Sequence, residues 1–367
     1  MKIIVTARDA GSAHQNLAFI ENCMRYDLAL DFRFYVEGPA VEVVESSQFP
    51  IAFINICDPS SPSSADRLHY EIEEFRANFA LLGLSWDRTG VDELAMGICR
   101  KLSVPIAVIQ DYWGYVGQFS GDFVPDYFFV CHTEATRLTH NNAQRNIPCI
   151  VTGSPKHERY QHYLKDWQNA KIHNGDDEVF QIVFMGQPSI VQGIVENFEL
   201  FIKAAIKIRE PVRVLFKPHP ADAENLSIYE SILVQSGISF AVASPSDQSE
   251  PLLLSADLVV TCFSTAGLDH SYLQFYSGER IGHLIYLAMG DDIKKTLVTA
   301  VGESSVPFAN VGMGTFCESF DALEIALLKW MRTPDSEYML KVKEHLNVDD
   351  APTRKIYGFI SNLYNNN

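Results

Sequence analysis

The chain has 367 residues, of which 47% are hydrophobic and 20% charged, so it has enough apolar mass to build two cores. Its formal net charge of -17 argues against a nucleic-acid-binding protein, because contacts to phosphates need clustered Lys and Arg side chains. The seven cysteines are widely spaced and include no CxxC pair, which indicates neither a disulfide framework nor a zinc site.

The N-terminal stretch MKIIVTARDAG has an apolar run that is too short for a signal peptide, and it lacks a small-residue cleavage site. No part of the sequence approaches the ~20 apolar residues that a membrane-spanning helix needs. We therefore expect a cytoplasmic protein without a transmembrane segment, while peripheral contact with a membrane stays open.

Short β-branched runs alternate with amphipathic segments through the first half of the chain. The predicted strands are KIIVTA, FRFYVEG, PIAFINI, ALLGLSW, PIAVIQDYW, DYFFVCHTE and PCIVTGSP. Helices are predicted at about 13–26, at HYEIEEFRANFA and at GVDELAMGICRKL. Continuous rather than alternating apolar strands, joined by helices, predict a parallel sheet covered on both faces.

A polar stretch, KHERYQHYLKDWQNAKIHNGDDEV, then interrupts the pattern and is the predicted connection between two domains. A second series follows, with the strands FQIVFMGQP, VRVLFKPHP, ISFAVAS, ADLVVTCFST and IGHLIYLA and a long helix at about 195–209. The sequence predicts an α/β protein in which two Rossmann-like domains, 1–160 and 175–348, have parallel sheets facing an interdomain cleft. Residues 349–367 are predicted to form a terminal helix.

Ligands bind beyond the carboxyl ends of parallel strands, so the residues that follow each strand are candidates for the site. In the first half these are DAGS at 9–12, QDYWG at 110–114 and GSP at 153–155. In the second half they are GQPS at 186–189, KPHP at 217–220 and CFSTAG at 262–267. Gly, Ser and Thr supply N–H and hydroxyl donors for a phosphate, although turns also use them to cap helices.

Two of these groups carry a family resemblance. KPHP, followed about forty residues later by ADLVVTCFSTAGLDHSYL, resembles the His-Pro and Ser/Thr motifs of GT-B glycosyltransferases, including bacterial sialyltransferases, Kdo transferases and CDP-glycerol glycerophosphotransferases. In the first half, IQDYWGYVGQF, VPDYFFVCHTEA and NIPCIVTGSP look like the same superfamily, which includes UDP-N-acetylglucosamine 2-epimerases. The terminal DDAPTRKIYGFI resembles the closing helix that those proteins pack back across both domains. The architectural resemblance covers nearly the whole chain.

The resemblance implies that His219 contacts the nucleotide or the donor phosphate. Pro218 and Pro220 restrict the backbone on either side of it, and an imidazole can donate to a phosphate oxygen. Lys217 would neutralise charge on the leaving group, unless the alternation of the strand turns its side chain away from His219.

Four further residues belong to this predicted phosphate site. Ser264 and Thr265 would offer donors at a helix N-terminus, or act as plain N-caps. Gly186 and Gln187, after the first strand of the second half, would lie nearby.

The resemblance also implies a base from the first domain, which would deprotonate an acceptor hydroxyl. Asp9, Asp111 and His14 are the candidates, and Asp9 is also a plausible N-cap of the following helix. On the acceptor side we place three more residues: Gly11, Ser12 and Trp113. Trp113 would form a platform for a sugar ring, or would pack with Tyr112 between domains.

We expect no metal ion and no cofactor beyond the nucleotide-sugar substrate. The histidines show no spacing that brings two of them onto one helical face as metal ligands, except His157 and His162, which are five residues apart. No suitable DxD loop is present. The GDD at 290–292 follows a strand and is typical of a helix start. In metal-free GT-B chemistry, hydrogen-bond donors and a helix dipole take the place of the cation.

The sequence therefore predicts a glycosyltransferase of polysaccharide biosynthesis. It would move a sugar from a CMP- or UDP-linked donor to a hydroxyl of a surface glycan or its precursor, with the glycan acceptor and the nucleotide sugar as partners. Two alternatives stay open. One is a UDP-sugar 2-epimerase or hydrolase on the same scaffold, with HERY at 157–160 and Glu279 as loose analogues of its acidic and His residues. The other is a nucleotide-sugar-binding protein without catalysis.

Overall fold

The structure is a computed structural model that describes residues 1–84, 90–116, 124–143, 146–169, 179–278, 280–332, 337–346 and 351–366. The chain divides into two compact units. The first is Met1–Arg159 together with Val348–Asn367, and the second is Tyr160–Asn347.

The first unit is an α/β domain. Its strands are β1 Lys2–Ala7, β2 Asp31–Val36, β3 Phe53–Asn55, β4 Phe79–Leu82, β5 Ile106–Ile109, β6 Tyr127–Val130 and β7 Cys149–Val151. Its helices up to the end of that sheet are α1 Ala10–Arg25, α2 Ala40–Glu45, α3 Pro62–Phe75, α4 Val91–Lys101, α5 Thr133–Ala143 and α6 Pro155–Glu158.

The described strands of the first unit form one parallel sheet in the order β3-β2-β1-β4-β5-β6-β7. Strands β4 and β5 are buried at every position, as their continuous apolar runs predict. The strand order reverses between β1 and β4, so the loops that follow these two strands diverge to opposite faces. In such sheets this reversal creates the crevice in which ligands bind.

The second unit is also an α/β domain. Its strands are β8 Phe180–Met185, β9 Val212–Lys217, β10 Ser239–Val242, β11 Leu258–Thr261, β12 His283–Leu287 and β13 Thr315–Cys317. Its helices are α7 Tyr160–Asn169, α8 Ile194–Ala205, α9 Leu226–Ser236, α10 Ser249–Ser255, α11 Ala266–Ser277, α12 Asp291–Val301, α13 Pro307–Asn310, α14 Phe320–Arg332 and α15 Glu337–His345. A 3-10 turn covers Pro220–Asp222.

The second sheet, counted over the described strands, is parallel with the order β10-β9-β8-β11-β12-β13. Its order reverses between β8 and β11. Beneath this point lies an aromatic core in which Phe198 packs between Phe184 and Phe216, with ring centroids 4.8 Å apart in both pairs. Such pairs add about 0.5–1.5 kcal/mol each beyond the burial of their area, so this part of the unit is rigidly packed.

A last helix, α16 Pro352–Asn366, returns to the first unit and packs on α1 and α6. Its N-terminus is held by the buried carboxylate of Glu158, which accepts from the Thr353 backbone N–H at 2.9 Å and from its hydroxyl at 2.7 Å. Tyr26 donates to the same carboxylate at 2.6 Å. A carboxylate at this position accepts from the first N–H groups of the helix and interacts favourably with the positive end of the helix dipole.

The elements differ from the predicted ones in a few places. Helix α1 begins at Ala10, three residues earlier than predicted, and α3 ends at Phe75 because Arg76 adopts a left-handed conformation with φ 53°. This early end frees Phe79 to begin β4. The polar stretch predicted as a connection contains α6 and α7. Among the described helices, none has both the length and the apolar character needed to cross a bilayer.

Candidate functional site

Three loops of the second unit follow neighbouring strands at the point where the strand order reverses. They are residues 186–189 after β8, 218–222 after β9 and 262–265 after β11. Because the three strands are parallel and adjacent, their loops emerge at one edge of the sheet. We refer to these three loops as the rim.

Gly186 allows the first two loops of the rim to pack closely. Its N–H donates to the carbonyl of Lys217 at 2.8 Å. A Cβ atom at this position would lie 3.0 Å from the same carbonyl and 3.3 Å from the backbone nitrogen of His219. The predicted site residue is therefore a glycine for a steric reason, and it brings the end of β8 against the His219 loop.

His219 is half-buried and its tautomer is fixed by the backbone. Its Nδ1 atom accepts from the N–H of Ala221 at 3.1 Å, so in the neutral ring the proton resides on Nε2. No described residue accepts a hydrogen bond from that Nε2–H. Burial lowers the pKa of His219, and Lys217 lowers it further, whereas Asp222 opposes the shift. At neutral pH the imidazole is thus a neutral donor aimed by the Pro220–Asp222 turn.

Gln187 links the rim across the strand reversal. Its Oε1 accepts from the backbone N–H of Phe263 at 2.7 Å, which fixes the orientation of the amide. The Nε2 group of Gln187 then points away from that bond as a second donor, and it bonds to no described residue. Gln187 is 7% exposed, so one buried rotamer determines both the bond that it accepts from Phe263 and the direction of its free Nε2 donor.

Ser264 and Thr265 lie at the start of α11 and have different environments. Ser264 Oγ accepts from the N–H of Ala266 at 3.2 Å, so this hydroxyl satisfies a first-turn N–H from the residue before the N-cap. Thr265 occupies the N-cap position with helical dihedrals, and its hydroxyl bonds to no described side chain or backbone group. The α11 N-terminus therefore presents a half-buried hydroxyl together with the positive end of the helix dipole.

The expectation for Lys217 as a leaving-group partner is wrong. Its ammonium donates to the carbonyl of Pro218 at 3.1 Å and to that of Pro245 at 2.8 Å, and the residue is 4% exposed. Burial lowers its pKa, with Asp247 opposing the shift. Lys217 secures the loop after β10, because the alternation of β9 turns its side chain toward that loop. Pro220 is exposed and begins the 3-10 turn.

Asp222 is a residue of the rim that the sequence analysis did not single out. Both oxygens of its carboxylate lie 2.9 Å from the N–H of Ser189, and Oδ1 also accepts from the Ser189 hydroxyl at 2.8 Å. An Asp two residues after a Pro at the start of a short helix is typical of capping, so nothing local in the sequence indicates a partner 33 residues away.

In the first unit, Asp9 follows β1 directly. It has an extended backbone at the N-cap position of α1, but its side chain makes no capping hydrogen bond. Its Oδ1 atom lies 3.6 Å from Nε of the buried Arg8, so the carboxylate is partly neutralised by a neighbouring guanidinium. Asp9 is half-buried, and His14, one turn further along the helix, is half-buried as well.

Asp111, two residues beyond β5, packs against the first turn of α1. A Cβ atom at Gly11 would overlap its Oδ2 atom, so the carboxylate sits on the exposed Cα of Gly11. Burial, together with the negative charges of Asp9 and Asp92, raises the pKa of Asp111 to about 7, while a backbone hydrogen bond and Lys156 act in the opposite direction. The structure therefore brings Asp111, Asp9 and Gly11 into one neighbourhood. A carboxyl group that is half ionised near neutral pH is suited to accept a proton.

Two expected acceptor-side residues have no open surface, which corrects their prediction. Ser12 is fully buried: a Cβ at Gly83 would lie 2.9 Å from its Oγ atom, and this hydroxyl donates to the carbonyl of Asp9 at 3.0 Å. Trp113 is 1% exposed and stacks on Tyr112, with ring centroids 5.4 Å apart. The stacked indole is buried, so it offers no face to a sugar ring.

Among the described residues, no group of three or more His, Cys, Asp or Glu side chains could hold a metal ion. The GDD segment is a helix start as predicted, since α12 begins at Asp291. His157, from the epimerase analogy, is buried at 2% exposure within α6. Glu279, the other residue of that analogy, lies outside the described residues.

Sequence comparison finds neither a matching family model nor a matching curated protein. The structure, in contrast, is similar to several solved structures over nearly its whole length. One is the co-structure of Staphylococcus aureus MnaA with UDP, at a TM-score of 0.68 and 11% identity, covering 97% of this chain and 94% of that one.

Two further solved structures also match nearly the whole chain. One is a glycosyltransferase from Rickettsia africae, with a TM-score of 0.68, 10% identity and coverage of 100% of this chain and 99% of the other. The other is MurG from Acinetobacter baumannii, with a TM-score of 0.59, 11% identity and coverage of 98% and 99%. These likenesses, together with the two parallel sheets, confirm the predicted fold class: the chain has the GT-B-like fold of two Rossmann-like domains.

Proposed function

We propose that the protein is an enzyme of nucleotide-sugar metabolism, and specifically a GT-B glycosyltransferase. The observation that carries the proposal is the rim, where donors of different kinds are fixed at one sheet edge. They are the Nε2–H of His219, the free amide hydrogens of Gln187, and the Thr265 hydroxyl at the α11 N-terminus. Fixed donors and a helix dipole are what a diphosphate or a phosphodiester requires.

In this proposal Asp111 is the base. It would take the proton of an acceptor hydroxyl while the hydroxyl oxygen attacks the anomeric carbon of the donor sugar. The bond from that carbon to the phosphate oxygen breaks, and the electron pair leaves with the nucleotide. The rim would stabilise the resulting phosphate charge. Asp111 is preferred to Asp9 because its pKa of about 7 lies near the operating pH, whereas Asp9 is paired with Arg8.

A second candidate function is a UDP-sugar 2-epimerase or hydrolase on the same scaffold. It is favoured by the likeness to a UDP-N-acetylglucosamine 2-epimerase from Neisseria meningitidis that was solved with UDP-GlcNAc, at a TM-score of 0.67. The residues described in the first unit supply a proton acceptor for either reaction. The acceptor substrate separates the two functions, because epimerisation and hydrolysis do not require a second sugar.

The test begins with the nucleotide. UDP, CMP, GDP and ADP are titrated into the protein by calorimetry, and we expect UDP or CMP to bind. UDP-GlcNAc and CMP-linked acidic sugars are then incubated with the protein, with and without a panel of saccharide acceptors. Release of UDP or CMP that depends on an acceptor supports the transferase. Epimer or free sugar formed without acceptor would replace it with the second function. Binding without turnover of any donor indicates a nucleotide-sugar-binding protein.

A further inference from the structure

The loops of the rim are bonded to one another through buried polar side chains. Asp222, at 2% exposure, receives the Ser189 backbone N–H and the Ser189 hydroxyl, and Tyr229 donates to it at 3.4 Å. This carboxylate therefore joins the loop after β9 to the loop after β8. A buried carboxylate is costly unless donors surround it, and here the donors come chiefly from one residue of the neighbouring loop.

Other buried side chains extend these connections across the sheet edge. Gln187 joins the loop after β8 to that after β11 through Phe263, and Lys217 joins β9 to the loop after β10 through Pro245. Asn197 of α8 exchanges hydrogen bonds of 2.9 Å with the N–H and the carbonyl of Met289, after β12. Neighbouring loops at this edge are thus joined by hydrogen bonds from side chains of the unit itself.

Asp222 also acts on His219 directly. Its backbone N–H donates to the His219 carbonyl at 2.9 Å, which closes the turn that aims the imidazole. The charged groups that act on the ring are Asp222 and Lys217, and Asp247 acts in turn on Lys217. The Asp222 carboxylate therefore fixes the loop that carries Gln187, and the backbone N–H of the same residue closes the turn that carries His219.

We propose that Asp222 is a positioning residue, which holds Gln187 and His219 at a fixed separation so that both can donate to the phosphates of a nucleotide. The inference rests on the proposed function and assigns the role to a residue that touches no substrate. Donors held in place before binding lose little freedom when the anion arrives, so their hydrogen bonds appear fully in the affinity.

The test compares Asp222→Asn with Glu224→Gln. In Asp222→Asn the Oδ1 atom can still accept from Ser189, but the second oxygen becomes an amide donor that faces the Ser189 N–H. Glu224 is exposed, lies two residues along the chain and bonds to no described residue, so its substitution makes the same charge change without affecting the rim. Calorimetry measures the binding of UDP and CMP, and of uridine and cytidine, which lack the phosphates.

We expect Asp222→Asn to weaken nucleotide binding about tenfold or more while nucleoside binding stays unchanged, and Glu224→Gln to match the wild type in both. A purely structural role would change the melting temperature and leave the ratio of nucleotide to nucleoside affinity unchanged, which would overturn the inference. If Asp222→Asn fails to fold, Ser189→Ala, which removes one of the same bonds, must show a smaller loss in that same ratio. A wild type that binds neither UDP nor CMP would overturn the proposed function itself.

Discussion

Asp111 has an ionisable group whose charged form the fold disfavours. Its carboxylate packs on Gly11 near Asp9 and Asp92, and burial raises its pKa to about 7. The unfolded chain has no such constraint, so the carboxyl there ionises near 3.8, the ordinary value. As the pH rises from about 4 to 7, the carboxyl ionises in the unfolded chain but stays protonated in the folded protein, so the free energy of unfolding falls. A catalytic base requires this property, whereas a purely structural carboxylate would be better paired.

The first prediction follows from the proposed function: Asp111→Asn should abolish turnover and stabilise the protein. Turnover of the donor that the wild type uses should fall 10²–10⁴-fold, the usual range for a lost base. At pH 8 the free energy of unfolding should rise by on the order of 1–3 kcal/mol, because the disfavoured charge is gone. Urea unfolding and steady-state kinetics measure both effects. Asp66→Asn, on an exposed carboxylate of α3, should change neither. An Asp111→Asn protein that stays active would rule out Asp111 as the base.

The second prediction uses the fixed tautomer of His219. His219→Ala should weaken the binding of UDP or CMP about 10- to 100-fold, since a hydrogen bond to a charged group contributes about 1.5–3 kcal/mol. His219→Gln places an amide nitrogen near the former Nε2 position, so we expect it to retain part of the affinity. Equal losses in the two variants would show that the ring is needed for its shape and not for its Nε2–H donor.

The sequence pattern singled out residues that are marked by their own loop. It did not reveal the hydrogen-bonding role of a residue whose partner is distant along the chain. His219 was identified because two prolines flank it, and Gly186 because it ends a strand. The roles of Gln187, Lys217 and Asp222 depend on Phe263, Pro245 and Ser189. Those partners are 28 to 76 residues away, so they become neighbours only once the strand order is known.

At the level of elements, the first turn of α1 provides space for the Asp111 carboxylate. Gly11 lies in that turn, and the lack of a side chain leaves room for the Asp111 carboxylate. Alanine generally stabilises a helix relative to glycine by up to ~1 kcal/mol, so stability alone would favour a larger residue here. The turn therefore gives up some helix stability in exchange for contact with a loop after another strand.

The third prediction compares two glycines in helices. Gly11→Ala should displace the Asp111 carboxylate and reduce turnover at least about tenfold, since misplaced reacting groups are that costly. The free energy of unfolding of this variant should change little, because the gain in helix propensity offsets the cost of displacing the Asp111 carboxylate. Gly358→Ala in α16 meets no atom within 4 Å, so it should stabilise the protein by about 0.5–1 kcal/mol and leave turnover unchanged. Thermal unfolding and kinetics check both. Full activity in Gly11→Ala would contradict the proposed contact.

Most strands could be predicted because buried strands of a parallel sheet are continuous apolar runs, as in β4 and β5. The exceptions follow from local geometry. The end of α3 depends on one left-handed residue, Arg76, whose conformation the sequence does not reveal. Strand β13 was missed because its three residues, TFC, are too short to produce a pattern.

On the scale of the whole molecule, the two series of strands and helices were enough to predict two Rossmann-like domains. The order of strands within each sheet could not be read from the periodicity, because the pattern of burial is the same whichever neighbour a strand has. The positions of the site residues depend on that order. The rim exists because β9, β8 and β11 are adjacent, and Asp111 reaches α1 because β5 lies two strands from β1.

We expect the two units to respond differently to acid. In the second unit, His270 is buried against Tyr338, and burial lowers its pKa to about 4. His283 stacks on Trp330 and is buried as well, with a pKa of about 2. Both histidines are neutral in the folded protein at pH 5, but they bind protons in the unfolded chain below about 6.5. As the pH falls below 6.5, each histidine therefore lowers the free energy of unfolding of the second unit. Asp111 has the opposite effect, because its protonation below pH 7 raises the free energy of unfolding of the first unit.

The fourth prediction is that a shift from pH 8 to pH 5 changes the stability of the two units in opposite directions. The second should lose on the order of 2 kcal/mol for each histidine, and the first should gain up to about 3 kcal/mol from Asp111. Hydrogen exchange, corrected for the intrinsic effect of pH, can compare β4 and β5 with β11 and β12, because core strands exchange through global or subglobal unfolding.

In Asp111→Asn the gain in the first unit should disappear while the loss in the second remains. In His270→Gln about half of the loss should disappear, because one of the two titrating histidines is gone. The Gln amide can still donate to the carbonyl of Ile281, which His270 Nε2 contacts at 3.3 Å, so this contact is kept. Parallel changes in both units would show that titration elsewhere in the chain dominates.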